Sequence, residues 1–231
     1  MSYDWILFDA DRTLFDFDRS ARRALQHSIE AFDIPYYSKY QKVYQEINKQ
    51  CWKDFEENKI PQSRLGTIRF ELFLAAIKFE RDFEAMSKFY LQQLAASKDL
   101  LPGAEALLGR LHGNHKMLIV TNGLKEVQRP RIANAQLNPY FHEIIVSDEI
   151  GVAKPYAAYF DYAFEKMNFP PKEKVIIIGD SINSDIKGGR DYGIDTCWYN
   201  PNALLSLNGI EPTYDIRSLE EIDEIVAGWE R

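Results

Sequence analysis

Five short apolar runs, most of them ending in polar residues, constrain the fold of this chain more than any other feature. They are YDWILFDA (3–10), HKMLIVTNG (115–123), HEIIVSDE (142–149), EKVIIIGDS (173–181) and IDTCWYN (194–200). Continuous runs of this kind, rich in β-branched residues, are typical of parallel strands that are covered on both faces. The segments between the last four runs have helical character. Strands that alternate with helices predict a doubly wound α/β fold with a parallel sheet.

The alternation is interrupted after the first run, because no strand-like run occurs between about residues 18 and 98. Long segments there are rich in Glu, Lys, Gln, Phe and Leu, and one of them has apolar residues at helical spacing. These are Ile68, Leu72, Ala75, Ala76 and Phe79. We therefore predict an all-helical domain, residues 18–97, inserted after the first strand of an α/β core made of residues 1–17 and 98–231.

Composition and charge narrow the classes of function. The 231 residues are 45% hydrophobic and 27% charged, as in ordinary globular proteins, and the net charge is −7. This charge argues against binding to a DNA or RNA polymer, although a mononucleotide stays possible. No apolar run approaches the ~20 residues of a membrane span, and the start MSYDWILFDA lacks the basic region of a signal peptide. We expect a cytoplasmic protein that binds no membrane and is either a monomer or a homodimer.

Polar residues that could take part in catalysis or ligand binding follow the apolar runs. Ligands of an open parallel sheet bind beyond the carboxyl ends of its strands, so these residues are expected to meet. They are Asp9, Asp11 and Thr13 after the first run, Thr121, Asn122 and Gly123 after the second, Lys154 after the third, and Asp180 and Asp185 after the fourth. The set can hold a divalent metal and a phosphoryl group together.

The acids suit magnesium, which prefers oxygen ligands and commonly takes one or two carboxylates plus a phosphate oxygen. Asp9 and Asp180 are predicted to supply carboxylates, and the backbone carbonyl of Asp11 a third protein ligand. Asp185 is predicted to lie behind them, where it orients Lys154 or a metal-bound water. The cofactor predicted from these residues is Mg²⁺.

The remaining groups suit phosphoryl transfer. Thr121, the loop amides of Asn122 and Gly123, and Lys154 would hold phosphate oxygens, where transition-state charge is spread. Asp9 could attack phosphorus and form an aspartyl-phosphate. Asp11 would protonate the leaving oxygen and then activate water.

The elements DADRT, TNG, Lys154 and GDSINSD together resemble the motif set of the haloacid dehalogenase superfamily, in its phosphatase branch. All four occur in order between Asp9 and Asp185. The resemblance implies a Rossmann-like core with a helical cap in the position of the insert. It also implies a magnesium-dependent hydrolase of small phosphomonoesters, with Asp9 as nucleophile and Asp11 as acid/base.

Within that superfamily, WILFDADRTLFDFD, the aromatic cap, GVAKP and TCWYN look most like the house-cleaning pyrimidine 5′-nucleotidases. That resemblance implies a nucleoside 5′-monophosphate substrate. The cap candidates for base recognition are Asn48, Trp52, Arg64 and Arg69, since an aromatic ring could stack on a base. The alternative is that the cap aromatics only pack its core. Arg12 departs from relatives, which often have Gly, Glu or Asn there, and its role stays open.

Other functions fit part of the pattern. A sugar-phosphate phosphatase or a phosphoglucomutase-type transferase would use the same motifs, and the difference would lie in the cap. A haloacid dehalogenase proper needs no proton donor two residues after its nucleophile, so Asp11 and Asp180 argue against it. A catalytically silent nucleotide-binding module is the fourth alternative. Asp16 and Asp18 fall outside the motif, and Asp18 is predicted to cap the first helix of the insert.

Overall fold

A six-stranded, entirely parallel sheet forms the centre of the molecule. The structure is a computed structural model that describes residues 2–57, 59–206 and 209–227. The strands are β1 (Trp5–Phe8), β2 (Lys116–Thr121), β3 (Glu143–Val146), β4 (Val175–Gly179), β5 (Asp195–Tyr199) and β6 (Tyr214–Ile216). Their order in the sheet is β3-β2-β1-β4-β5-β6. The predicted doubly wound α/β fold is confirmed.

The last strand was not predicted from the sequence. β6 has only three residues and pairs with β5 from Cys197 opposite Tyr214 to Tyr199 opposite Ile216. So short a segment carries no readable alternation, and its extended conformation depends on the neighbouring strand.

Ten α-helices occur in the described part of the chain, five of them between β1 and β2. The first four of these form the insert: α1 (Phe17–Ala31), α2 (Ser38–Glu56), α3 (Gln62–Ile77) and α4 (Phe83–Ala96). The others are α5 (Ala104–Leu111), α6 (Lys125–Asn134), α7 (Ser147–Ile150), α8 (Ala157–Lys166), α9 (Lys187–Tyr192) and α10 (Ile222–Val226). Of these helices, none has both the length and the apolar character that crossing a bilayer requires.

The sheet is covered on both faces, as continuous apolar strands require. Successive side chains of β1 point to opposite faces, so Ile6 and Phe8 join one hydrophobic cluster and Trp5 and Leu7 join the other. Burying such a side chain contributes roughly 1.5–3 kcal/mol. The packing holds the carboxyl ends of β1, β2 and β4 next to one another.

Helices α1 to α4 bury a third cluster, which extends to Leu124 and Val127 at the start of α6. The helical spacing correctly predicted α3, but the residues in that pattern are not its buried face. Leu72 is 46% exposed, and Ala75 and Ala76 are exposed as well. The helix instead buries the face that contains the following residues: Leu65, Arg69, Phe70, Phe73 and Leu74. The apolar spacing favoured a different face because the buried face is interrupted by the charged Arg69.

Two antiparallel segments connect the helical insert to the sheet. Phe15 pairs with Leu100, and the Asp16 amide donates to the Asp99 carbonyl at 3.0 Å. Asp16, rather than Asp18, is the N-cap of α1, because its carboxylate accepts the Arg19 amide at 3.0 Å. The prediction that Asp18 caps this helix was therefore wrong by two residues. The division into domains after residues 17 and 97 stays a prediction.

Candidate active site

The polar residues that follow β1, β2 and β4 meet at the carboxyl edge of the sheet. Asp9 comes directly after β1, and its amide donates to the Ile178 carbonyl of β4 at 2.9 Å. Its side chain is only 11% exposed. The parallel register thus brings Asp9 beside Asp180, although 170 positions separate them in the sequence.

Lys154 lies at the centre of this edge and is almost completely buried. Its Nζ donates to Asp9 Oδ1 at 2.8 Å and to Asp185 Oδ1 at 2.7 Å. It also donates to the Val120 carbonyl at the end of β2. Burial disfavours the charged lysine, but the Asp185 and Asp9 carboxylates outweigh this and raise its pKa. Lys154 is therefore a fixed cation beside Asp9.

The loop after β2 positions Lys154 from a second direction. The Asn122 side chain donates to the Lys154 carbonyl and accepts from the Lys154 amide, both at 2.9 Å. Thr121 is buried, and its Oγ1 accepts the Gly123 amide at 3.0 Å. The sequence pointed to the backbone amide of Asn122, and its side-chain contact with Lys154 was not foreseen.

Asp185 is completely buried behind Lys154. Besides accepting from Lys154, it accepts the Ser181 amide at 3.1 Å through Oδ2. A π-helical turn, Ile182–Ile186, carries it, and such turns often occur at functional sites. A Cβ on Gly179 would lie 2.2 Å from Asp185 Oδ2, so only glycine leaves room for this carboxylate. Asp185 holds Lys154, which is one of the two roles predicted for it.

Three carboxylates lie close together around the single charge of Lys154. Asp9, Asp180 and Asp185 each offer a carboxylate oxygen, and these oxygens all lie within 4.8 Å of one another. Burial raises the pKa of Asp9 to about 7, against the lowering effect of Lys154. Burial and the charges of Asp9 and Asp185 raise the pKa of Asp180 well above its ordinary value. These raised pKa values show that negative charge on the crowded carboxylates is unfavourable without a further cation, and the oxygen-only donors suit a hard divalent one.

Asp11 points away from that cluster and toward α6. Arg131 Nη1 donates to its Oδ1 at 2.6 Å, and Gln128 Nε2 donates to its Oδ2 at 2.7 Å. Arg131 is completely buried, and its guanidinium carbon lies 4.0 Å from the centre of the Phe15 ring. A Cβ on Gly123 would lie 2.3 Å from Gln128 Nε2, so this glycine makes room for the contact.

Sequence reasoning missed Gln128 and Arg131. They lie three residues apart and therefore on one face of α6. The available signal was that α6 begins directly after Thr121-Asn122-Gly123, so its first polar face was bound to lie near the strand ends.

Of the four cap candidates, Arg69 and the partly buried Asn48 contact each other, whereas Arg64 and Trp52 have other partners. Arg69 Nη1 donates to Asn48 Oδ1 at 2.8 Å, and Arg69 is only 2% exposed. Arg64 is half exposed and pairs with Glu71 on the same helix. The Trp52 ring packs edge-on against Phe55, 5.9 Å away.

Arg12 adopts a left-handed backbone conformation with φ of 60°, which glycine and asparagine adopt most easily. Its guanidinium donates to Asp18 Oδ1 at 2.8 and 3.0 Å and lies over the Phe17 ring. In this structure the side chain is therefore tied to the start of α1.

Comparisons with known proteins agree with the geometry. A family model for haloacid dehalogenase-like hydrolases matches residues 3–193. The chain is 35% identical to the pyrimidine 5′-nucleotidase YjjG of Escherichia coli, over 98% of this chain and 99% of that one. It is 34% identical to the pyrimidine 5′-nucleotidase PynA of Streptococcus pneumoniae, over 96% and 94% of the two chains.

A solved structure extends the likeness to three dimensions. The magnesium-bound crystal structure of the HAD-hydrolase YfnB from Bacillus subtilis superposes with a TM-score of 0.93 at 36% identity. The match covers 98% of this chain and 99% of YfnB. The ordered motifs, the parallel sheet and these relatives lead to one conclusion: the chain is an enzyme that belongs to the haloacid dehalogenase-like hydrolase family.

Proposed function

We propose that the protein is a magnesium-dependent phosphomonoester hydrolase that acts on pyrimidine nucleoside 5′-monophosphates through an aspartyl-phosphate. The observation that carries the proposal is the buried carboxylate cluster of Asp9, Asp180 and Asp185 around a fixed Lys154. Its crowded carboxylates suit a metal ion, and its lysine suits a phosphate. The nucleotide part rests on the similarity to two pyrimidine 5′-nucleotidases.

Asp9 is the proposed nucleophile. A carboxylate oxygen of Asp9 forms a bond to phosphorus while the bond from phosphorus to the nucleoside oxygen breaks. Asp11 donates a proton to that leaving oxygen. Water then attacks the phosphorus of the aspartyl-phosphate while Asp11 takes a proton from this water. The bond from phosphorus to the Asp9 oxygen breaks, which regenerates the Asp9 carboxylate and releases inorganic phosphate.

Lys154, Thr121 and the amides of Asn122 and Gly123 are proposed to bind the phosphate oxygens. Lys154 approaches the nucleophile with its charge already in place, so no reorganisation is needed when negative charge develops. The Asn122 side chain contacts the carbonyl and amide of this lysine, and Asp185 accepts from its ammonium group, so both support its position.

Asp9, Asp180 and the backbone carbonyl of Asp11 are the proposed magnesium ligands, with Asp185 behind them. When bound, the metal would offset the repulsion between the carboxylates and the incoming phosphate dianion. The all-oxygen donor set fits magnesium rather than zinc, which favours His and Cys ligands.

A phosphate-release screen tests the proposal. Wild type with magnesium is assayed against nucleoside monophosphates, sugar phosphates, phospho-amino acids and phenyl phosphate. We expect hydrolysis with preference for pyrimidine nucleotides, its loss in EDTA, and its recovery with added magnesium. Asp9→Asn should lower kcat by on the order of 10⁴-fold or more without unfolding the protein.

Each part of the proposal can fail separately in that screen. A strong preference for sugar phosphates would overturn the nucleotide assignment and keep the phosphatase assignment. Turnover that survives EDTA would contradict the metal role, and near-normal activity of Asp9→Asn would contradict the nucleophile. Release of halide from a 2-haloacid without phosphate release would identify a dehalogenase instead.

A further inference from the structure

The cap contains a buried polar cluster that the chemistry at the sheet edge does not use. It consists of the buried side chains of Tyr44 on α2, Arg69 on α3 and Tyr90 on α4, together with the partly buried Asn48 on α2. Arg69, Tyr44 and Tyr90 are 2%, 3% and 0% exposed. The ring centres of Tyr44 and Tyr90 lie 5.4 Å apart, and the Arg69 guanidinium carbon lies 5.8 Å from the Tyr90 ring centre. Three helices of the insert thus contribute to one site.

This cluster is incomplete in hydrogen bonds. Arg69 Nε and Nη2 are buried, and within the described part of the chain neither has a hydrogen-bond partner. The Tyr44 and Tyr90 hydroxyls are also buried, and the only partner that each of them has among the described residues is the other. The single hydrogen bond of Arg69 goes to the neutral Asn48 side chain. Among the described carboxylates, none lies within 4.0 Å of the Arg69 guanidinium.

Burying these groups lowers the stability of the fold unless a further hydrogen-bond acceptor pairs with them. Buried charges are normally paired, and each buried polar atom without a partner costs about 1–3 kcal/mol. Arg131 is equally buried and its Nε and Nη2 also lack hydrogen-bond partners among the described residues, but its charge is paired with the Asp11 carboxylate. The missing partner of Arg69 therefore points to a ligand that carries hydrogen-bond acceptors.

The cluster also lies toward the proposed active site. Tyr90 belongs to the same hydrophobic cluster as Leu124 and Val127, which follow the phosphate loop directly. Helix α4, which carries Tyr90, packs along α6. The pKa of Tyr90 is raised well above its ordinary value, mainly by burial, and the Asp11 carboxylate is among the charges that add to the rise.

We infer that Arg69, Tyr44 and Tyr90 form a subsite that reads the acceptor oxygens of the substrate's leaving group. The inference rests on the proposed function. Arg69 can only donate, and the tyrosine hydroxyls can donate as well, so the subsite suits a carbonyl-bearing edge such as that of a pyrimidine base. Asn48 holds Arg69 in place. The side chains of Arg69, Tyr44 and Tyr90 are buried, so the subsite requires the cap helices to move before a leaving group can reach it.

The test compares two substrates that share a phosphate but differ in leaving group. Uridine 5′-monophosphate carries carbonyl acceptors, whereas phenyl phosphate carries none on its ring. The readout is kcat/KM for the nucleotide divided by kcat/KM for phenyl phosphate. Arg69→Met should lower this ratio by about 10- to 100-fold, since it removes charged donors. Tyr44→Phe and Tyr90→Phe should each lower it by about 3- to 10-fold.

Lys53→Met is the matched control. It removes one cap cation from α2 whose side chain is 63% exposed, and the ratio should stay within about twofold of wild type. The Arg69→Met variant by itself could misfold, but each tyrosine variant removes only one hydroxyl, whose single partner in the described part of the chain is the other tyrosine. The Tm of the tyrosine variants should therefore stay within a few degrees of wild type, which separates loss of recognition from loss of structure.

A high wild-type ratio that none of the three variants lowers would overturn the subsite and leave the nucleotidase proposal standing. A wild-type ratio near one would overturn the subsite and the pyrimidine assignment together. Failure to hydrolyse either compound would overturn the proposed function and, with it, the subsite. A lower ratio in all three variants with an unchanged Lys53→Met would support the subsite.

Discussion

Two buried arginines, one beside the sheet edge and one in the cap, differ in whether their charge is paired with a carboxylate. Arg131 donates to the Asp11 carboxylate and lies over the Phe15 ring, so its charge has a partner inside the protein. Arg69 is buried just as fully but donates only to the neutral Asn48. Protein side chains therefore pair the charges at the sheet edge, whereas the proposed partner of the cap cluster is the leaving group of the substrate.

The difference matches the separate demands on the two regions. Phosphoryl transfer requires charges held at set positions before substrate arrives, and the contacts of Lys154 with Asp9 and Asp185 do this. Recognition of a leaving group requires donors that find their acceptors only when that group is present. The carboxylate excess around Asp9 is the exception at the sheet edge, and it corresponds to the proposed metal.

The strongest way to break the preorganised region is to fill the space beside Asp185. Gly179→Ala would place a Cβ where Asp185 Oδ2 lies, which displaces the carboxylate and then Lys154. A misplacement of about 1 Å can cost 10²-fold, and we expect kcat to fall by about that factor. Steady-state phosphate release measures it. Gly109→Ala in α5, with nothing near its added Cβ, is the control and should leave kcat unchanged.

Removing the partner of Asp11 should have a smaller effect. In Arg131→Met one of the two contacts that hold the proposed acid/base is lost, and we expect kcat to fall by about 10- to 100-fold with a smaller change in KM. Arg129→Met is the control, since Arg129 lies on the same helix but forms a surface pair with Glu149. Equal activity of both variants would show that Arg131 only packs against Phe15.

The smallest predicted effect is on stability without metal. Burial raises the pKa of Asp9 to about 7 from its ordinary 3.8, with Asp185 and Asp11 adding to the rise and Lys154 opposing it. The folded state therefore holds this proton to a higher pH than the unfolded state. The contribution to stability is full below about pH 4 and is lost as the pH rises to about 7.

Asp9→Asn isolates that contribution because asparagine does not titrate. In EDTA, the free energy of unfolding of the variant relative to wild type should rise by on the order of 1–3 kcal/mol between about pH 5 and about pH 8. Urea denaturation at the two pH values measures this difference. A difference that stays constant with pH would mean that Asp9 ionises in the folded protein at its ordinary pKa.

The sequence was sufficient for the architecture of the α/β part and for the chemistry at its strand ends. Continuous apolar runs predicted five of the six strands, because a parallel strand covered on both faces must be apolar throughout. The residues after those runs were expected to meet, and Asp9, Lys154, Asp180 and Asp185 do meet. The family was readable from the same residues, since their order along the chain follows the strands that carry them.

Only the tertiary structure decided the contacts between side chains that are far apart in the sequence. No periodic pattern shows that Asp11 turns to Arg131, that Asn122 holds Lys154, or that α3 buries Arg69 rather than Leu72. Local pattern reports which residues avoid water, but the partner of a buried polar group depends on how helices pack across the whole chain. The sequence by itself therefore determined the sheet, the motifs and the family, and packing decided which polar groups are paired and which are left open.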